Sequence, residues 1–149
     1  LIVPVLEKTG TARQIIMKGS KPAEQVLELY GKYLDEILYM PVVNLHKEGA
    51  QELRAGYIEQ LKPCAYELVY QYDEQVAYPK QLKEELEGKA LIWYNTLWDT
   101  LCGGHDDDLA LSDPDAAYGF LIDTLGATII QTDRAEYLLK YLRERGLHE

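Results

Sequence analysis

Cysteine is scarce. Only Cys64 and Cys102 occur in the 149 residues, without the short paired spacing of a zinc site and too few for a disulfide scaffold. The chain must therefore be held by an ordinary core, and an apolar fraction of 47% is enough to fill one. A run of Lys or Arg is also missing. The formal charge of −10 is nowhere reversed locally, so the surface repels a phosphate backbone and nucleic acid is not an expected partner. No stretch approaches the roughly 20 apolar residues of a membrane span, and the opening Leu1-Ile2-Val3-Pro4 lacks the basic start of a signal peptide. No Pro/Gly/Ser-rich linker, internal repeat or low-complexity tract divides the chain, so residues 1–149 read as a single region. None of this fixes a compartment.

What is present is an alternation of apolar runs and helical periodicities. Leu1 to Lys8 reads as the tail of a helix stopped by Gly10, as if the chain entered partway through a βαβ series. The first run, Ile15 to Lys18, precedes a helix near Pro22 to Tyr33, where Val26, Leu27, Leu29 and Tyr30 recur at three- and four-residue steps. Glu36 to Met40 is ended by Pro41 and followed by a helix from Gly49 to Leu61. Ala65 to Tyr70 leads to a helix near Lys80 to Glu87, closed by Gly88.

The fourth run is Ala90 to Thr96, after which Leu97 to Asp113 is irregular; Asp113 then caps a helix with Pro114 in its first position, running to Leu125. Thr128 to Gln131 is the last strand. Asp133 and Glu136 have capping-box spacing for a final helix ending near Arg145-Gly146. Strands that are apolar almost throughout and alternate with helices belong to a parallel sheet, so the expected class is α/β. Five such strands fit either a complete open sheet of the flavodoxin-like kind or the last five strands of a barrel that typically takes roughly 250 residues.

The segment Gly126 to Asp133, followed by Arg134, resembles the last strand of the glycerophosphodiester phosphodiesterase family, with its Gly-led turn, isoleucine-rich strand and Thr-Asp entry into a helix. Trp93-Tyr94-Asn95-Thr96 is similar to the tryptophan-bearing seventh strand of that family. Ala135 replaces a common proline, and Asn95 sits one residue early. The resemblance implies strands four to eight of a (β/α)8 TIM barrel in a phosphoric diester hydrolase. Such an enzyme cleaves small glycerophosphodiesters to an alcohol and glycerol phosphate. It also implies a divalent cation, Ca or Mg, and two histidines acting as general acid and base. The segments carrying them have no counterpart here, so the isolated chain is expected to be inactive. It is expected to need the missing N-terminal half of the barrel or to associate with itself. A noncatalytic half-barrel binding or assembly module and a complete flavodoxin-like domain are the alternatives.

Barrel chemistry collects at the carboxyl ends of strands. Lys18, closing the first run, is a candidate to meet a phosphate, against the plain reading of a solvated loop lysine. Trp93 and Asn95 share one strand face; the resemblance directs Trp93 at the glycerol part of a substrate, where otherwise it would be core. Glu67 interrupts a buried strand and needs a partner, for which Lys18 is the obvious one. These four are the candidate substrate-binding residues. Gly103 to Asp108 lacks the spacing of a calcium loop and reads better as a mouth-side lid or specificity element. His46 stands alone. Cys64 and Cys102 fall at opposite strand ends, beyond the roughly 7 Å between Cα atoms that a disulfide spans.

Overall fold

The computed structural model describes residues 2–149. Five strands form one sheet in the order β1 (Ile16–Gly19), β2 (Leu38–Asn44), β3 (Ala65–Val69), β4 (Leu91–Asn95) and β5 (Ile129–Gln131), every neighbouring pair parallel. Helices α1 (Val3–Thr9), α2 (Ala23–Tyr30), α3 (Ala50–Gly56), α4 (Ala77–Leu86), α5 (Asp107–Ser112) and α6 (Ala135–Glu144) alternate with them. The fold is mixed α/β, as the alternation of runs implied. Spatial order follows chain order without reversal. A flavodoxin-like sheet needs its first strand between the second and third, whereas β1 here is an edge strand pairing only with β2. The flavodoxin-like alternative is thereby corrected.

The two faces of the sheet differ. Met17 and Tyr39, Val43 and Leu68, Tyr66 and Ile92, and Tyr94 and Ile130 are register partners. Strand alternation puts all of them on one face, where Ile130 meets Tyr118, Leu138 and Tyr141 and the others meet Val26, Tyr57, Leu82, Leu86, Leu121 and Leu125. Fully burying each such side chain contributes about 1.5 to 3 kcal/mol. The opposite face carries Ile16, Lys18, Leu38, Met40, Glu67, Leu91, Trp93, Asn95 and Gln131. It has no helix layer, and Ile16, Leu38 and Leu91 are left 50%, 46% and 48% exposed.

Several local expectations are corrected. β2 does not stop at Pro41 but runs on to Asn44. Pro41 is the last β2 residue registered with β1, and Val42 the first registered with β3, so the missing N–H falls where the ladder changes partner. The stretch from Leu97 to Asp113 is not irregular throughout: Asp106 accepts from the Leu109 backbone N–H at 2.9 Å and caps α5. Asp113 caps as expected, accepting from Ala116 N at 2.9 Å, but the helix it starts, Asp115–Thr124, has wide π turns. A second π turn, Tyr57–Leu61, prolongs α3. Asp133 is not a cap. Helix α6 follows Arg134 without a side-chain cap, and the Thr132 hydroxyl shapes the turn before it, accepting from Arg134 N at 2.8 Å. Both cysteines are free, Cys64 exposed and Cys102 buried.

Candidate functional site

Lys18 lies next to the end of β1 with its side chain on the helix-free face, and what it reaches defines the site. Its Nζ lies 2.5 Å from Glu67 Oε2 on β3, 4.6 Å from the centre of the Trp93 ring on β4, and 3.5 Å from Gln131 Oε1 on β5. In a flat sheet β1 and β5 would stand about 19 Å apart, four spacings of nearly 5 Å. A lysine and a glutamine cannot bridge that, so the sheet curls strongly and brings its edge strands toward each other over this face.

Glu67 is buried at 5% exposure, and a carboxylate so placed needs a cation. Lys18 supplies it, as the sequence anticipated. The ammonium has three donors. Gln131 Oε1 accepts from one of them, Glu67 adds the charge of an ion pair without hydrogen-bond geometry, and the Trp93 ring adds cation–π attraction. Trp93 Nε1 is buried and has no hydrogen-bond partner. Asn95, registered with Gln131, is buried, and its Oδ1 accepts from Leu97 N at 3.0 Å. That bond shapes the turn after β4 and takes up part of the polar capacity that Asn95 would offer a ligand. Lys18, Glu67 and Trp93 therefore converge, with Asn95 beside them on β4. Gln131 is the member that the sequence reading passed over, although it ends an apolar strand and Lys18 lies next to the end of one.

Just past the ends of β4 and β5 a polar hub fixes the loops. Asp107 is 5% exposed. Its Oδ1 accepts from the hydroxyls of Thr96 at 2.7 Å, Tyr118 at 2.9 Å and Thr132 at 2.7 Å, and its Oδ2 from Asp133 N at 2.9 Å. One carboxylate thus joins the β4 loop, the π-helix and the β5 loop. Burial pushes the Tyr118 hydroxyl up to about 12, with the Thr132 hydrogen bond opposing and the Asp107 hydrogen bond adding to it. No local pattern in the sequence marks Asp107 as the hub, because its donors are 11 to 26 residues away.

The rest of the Gly103 to Asp108 segment is engaged structurally. Asp106 caps α5, Asp108 pairs with Arg134 at 2.7 Å, and His105 stacks on Phe120 with ring centres 3.9 Å apart. His105 Nδ1–H donates to Ala116 O at 2.7 Å, leaving Nε2 facing Asp73 at 3.2 Å. His46 is half-buried; its Nδ1 is unpartnered, and burial, then the neighbouring Lys47 charge, lower its pKa. Among the described residues no three His, Cys, Asp or Glu side chains are placed to hold a metal ion.

Among the described residues no helix is long and apolar enough to cross a membrane. Residues 39–142 match the model of a family described as a domain of unknown function. No curated protein matches the chain.

Proposed function

For a chain that belongs to the DUF4996 family, we propose the role of a substrate-side wall in a phosphodiesterase barrel, its strands being the fourth to eighth of eight. The observation that carries this reading is the meeting of Lys18 on β1 with Gln131 on β5. Unreversed parallel order, helices on one face and edges curled toward each other are what such a barrel requires of five consecutive strands. The bare apolar face of Ile16, Leu38 and Leu91 is the surface that three further βα units would cover.

The substrate is a small glycerophosphodiester. The acidic surface disfavours anionic membranes, whereas the Lys18 ammonium is a local cation at the strand ends, where barrel chemistry takes place. Lys18 donates to a phosphate oxygen, Glu67 and Gln131 hold the ammonium in place, and the Trp93 ring packs against the glycerol carbons. In the hydrolysis, water bonds to phosphorus, the bond from phosphorus to the alcohol oxygen breaks, and a proton passes to the departing alcohol. Lys18 stabilises the charge that develops on phosphorus-bound oxygen. The divalent cation and the general acid and base belong to the remaining strands.

The test is to express the chain with the polypeptide encoded directly upstream and to assay release of glycerol phosphate from glycerophosphodiesters with Ca2+ or Mg2+. Metal-dependent hydrolysis is expected, with Lys18→Ala lowering kcat/KM about a hundredfold, as loss of a transition-state donor does. The isolated chain should be inactive. Hydrolysis by the isolated chain, or an active longer chain indifferent to Lys18→Ala, would overturn the proposal. Inactivity of the longer chain would replace it with a noncatalytic half-barrel module.

A further inference from the structure

A cavity of about 500 Å³ opens at the other end of the strands, between the π turn Tyr57–Leu61 and the end of α4. Its size is that of a small-molecule site. It lies on the helix-covered face, the side of Tyr66, and away from Lys18, so a barrel completed over the bare face would leave it open. Ile58, Pro63 and Leu86 supply apolar walls. Two exposed lysines, Lys62 and Lys89, also line it. The one carboxylate in the lining, Glu85, is already paired with Arg54, so the net charge of the lining is positive in a protein that is otherwise strongly acidic.

Three features point to a ligand. Tyr66 is 98% buried, lines the cavity, and its hydroxyl has neither donor nor acceptor partner among the described residues; burial pushes its pKa up to about 12, with the Arg54 charge opposing. A hydroxyl without a protein partner at the cavity wall is free to hydrogen-bond a ligand. Lys62 is the one non-glycine residue with positive φ among the described residues, at 46°, and it follows directly on the π turn. In that left-handed conformation it caps the turn, its backbone N–H donating to Tyr57 O at 2.9 Å, and so sits at the cavity rim. Lys89 Nζ is steadied by Glu85 O at 2.9 Å, which leaves two of its donors for an anion.

From these we infer that the cavity binds a small amphipathic carboxylate, a free aliphatic acid. Its chain lies against Ile58, Pro63 and Leu86, and its carboxylate lies between Lys62 and Lys89. An apolar floor alone would take any hydrophobe; the two lysines of the lining select the anion.

Octanoate titrated into the chain, followed by calorimetry and by NMR shifts of the backbone amides, tests this, with octyltrimethylammonium as the probe of opposite charge. Saturable octanoate binding is expected, with shifts centred on Ile58, Lys62 and Leu86, and at least about tenfold tighter than the cation, since a charge-assisted hydrogen bond contributes 1.5 kcal/mol or more. Lys62→Glu with Lys89→Glu should remove that preference. Ile58→Glu, at a site already 37% exposed, should weaken binding by blocking the wall. Far-UV circular dichroism checks that each variant is folded, and the lysine pair serves should Ile58→Glu fail to fold. No saturable binding, equal binding of the two probes, or binding unchanged by the lysine substitutions would each overturn the inference.

Discussion

Lys18 and Glu67 are joined by one ion pair but are not equivalent in it. Glu67 is buried, while the Lys18 side chain is 35% exposed. Removing the lysine strands a carboxylate in a poorly solvated place, whereas removing the carboxylate lets the lysine turn to water. Lys18→Met should therefore cost about 2 kcal/mol, the low end for breaking a buried pair because water partly screens this one. Glu67→Gln should cost less. Urea denaturation of the two variants decides it, and a larger loss for Glu67→Gln would contradict the asymmetry. This pair could be read in the sequence because a lone carboxylate in an apolar strand must find a cation and few are near. Asp107 could not, since its environment is assembled by three distant segments. Asp107→Ala would leave the Thr96, Tyr118 and Thr132 hydroxyls and the Asp133 N–H without their acceptor. A loss of roughly 3 kcal/mol is expected in the same urea measurement; a loss within the range of ordinary surface substitutions would show that the hub is dispensable.

At the scale of elements, periodicity identified the strands because each is covered on at least one face and reads as a short apolar run. It misplaced boundaries where tertiary pairing decides them. Pro41 looks like a terminator because it lacks a donor, yet the sheet needs none at the point where β2 passes from β1 to β3. The acidic stretch before Asp113 looks like loop because Asp is a poor helix former, but Asp106 turns that same chemistry into a cap for α5. The β4 loop is tied back to β3 by Tyr70 N donating to Leu101 O at 3.3 Å and Gly103 N to Tyr70 O at 3.0 Å. Gly103 has φ 65°, and a methyl group there would overlap the Tyr70 ring. That ring is fully buried, edge-on to Tyr94, and has no room to yield. Gly103→Ala should cost more than about 2 kcal/mol, combining left-handed strain with overpacking. Thermal unfolding would show it, and a melting temperature equal to that of the parent would mean the loop can detach from β3 without cost.

The whole molecule has a core built largely of tyrosine: Tyr57, Tyr66, Tyr70, Tyr94 and Tyr118 are among its largest fully buried side chains. Burial is the leading cause that raises the pKa of each above the ordinary value of 10.0, Tyr66 and Tyr118 to about 12. The sign follows from linkage. The folded state holds these phenols neutral while the unfolded chain releases their protons from about pH 10, so the unfolded state binds fewer protons as pH rises past that point. The stabilisation is complete below pH 10 and is lost as pH climbs from 10 toward 12. Several phenols act in the same direction, so their losses accumulate and unfolding should be cooperative. The phenolate absorbance of the buried set should then appear together with loss of the circular dichroism signal, after an earlier phase from exposed tyrosines such as Tyr72, which is 58% exposed. Complete phenolate formation near pH 10 with the fold intact would mean that water reaches these rings, and the tyrosine core would not be the closed layer between sheet and helices that positions the Lys18 site on the opposite face.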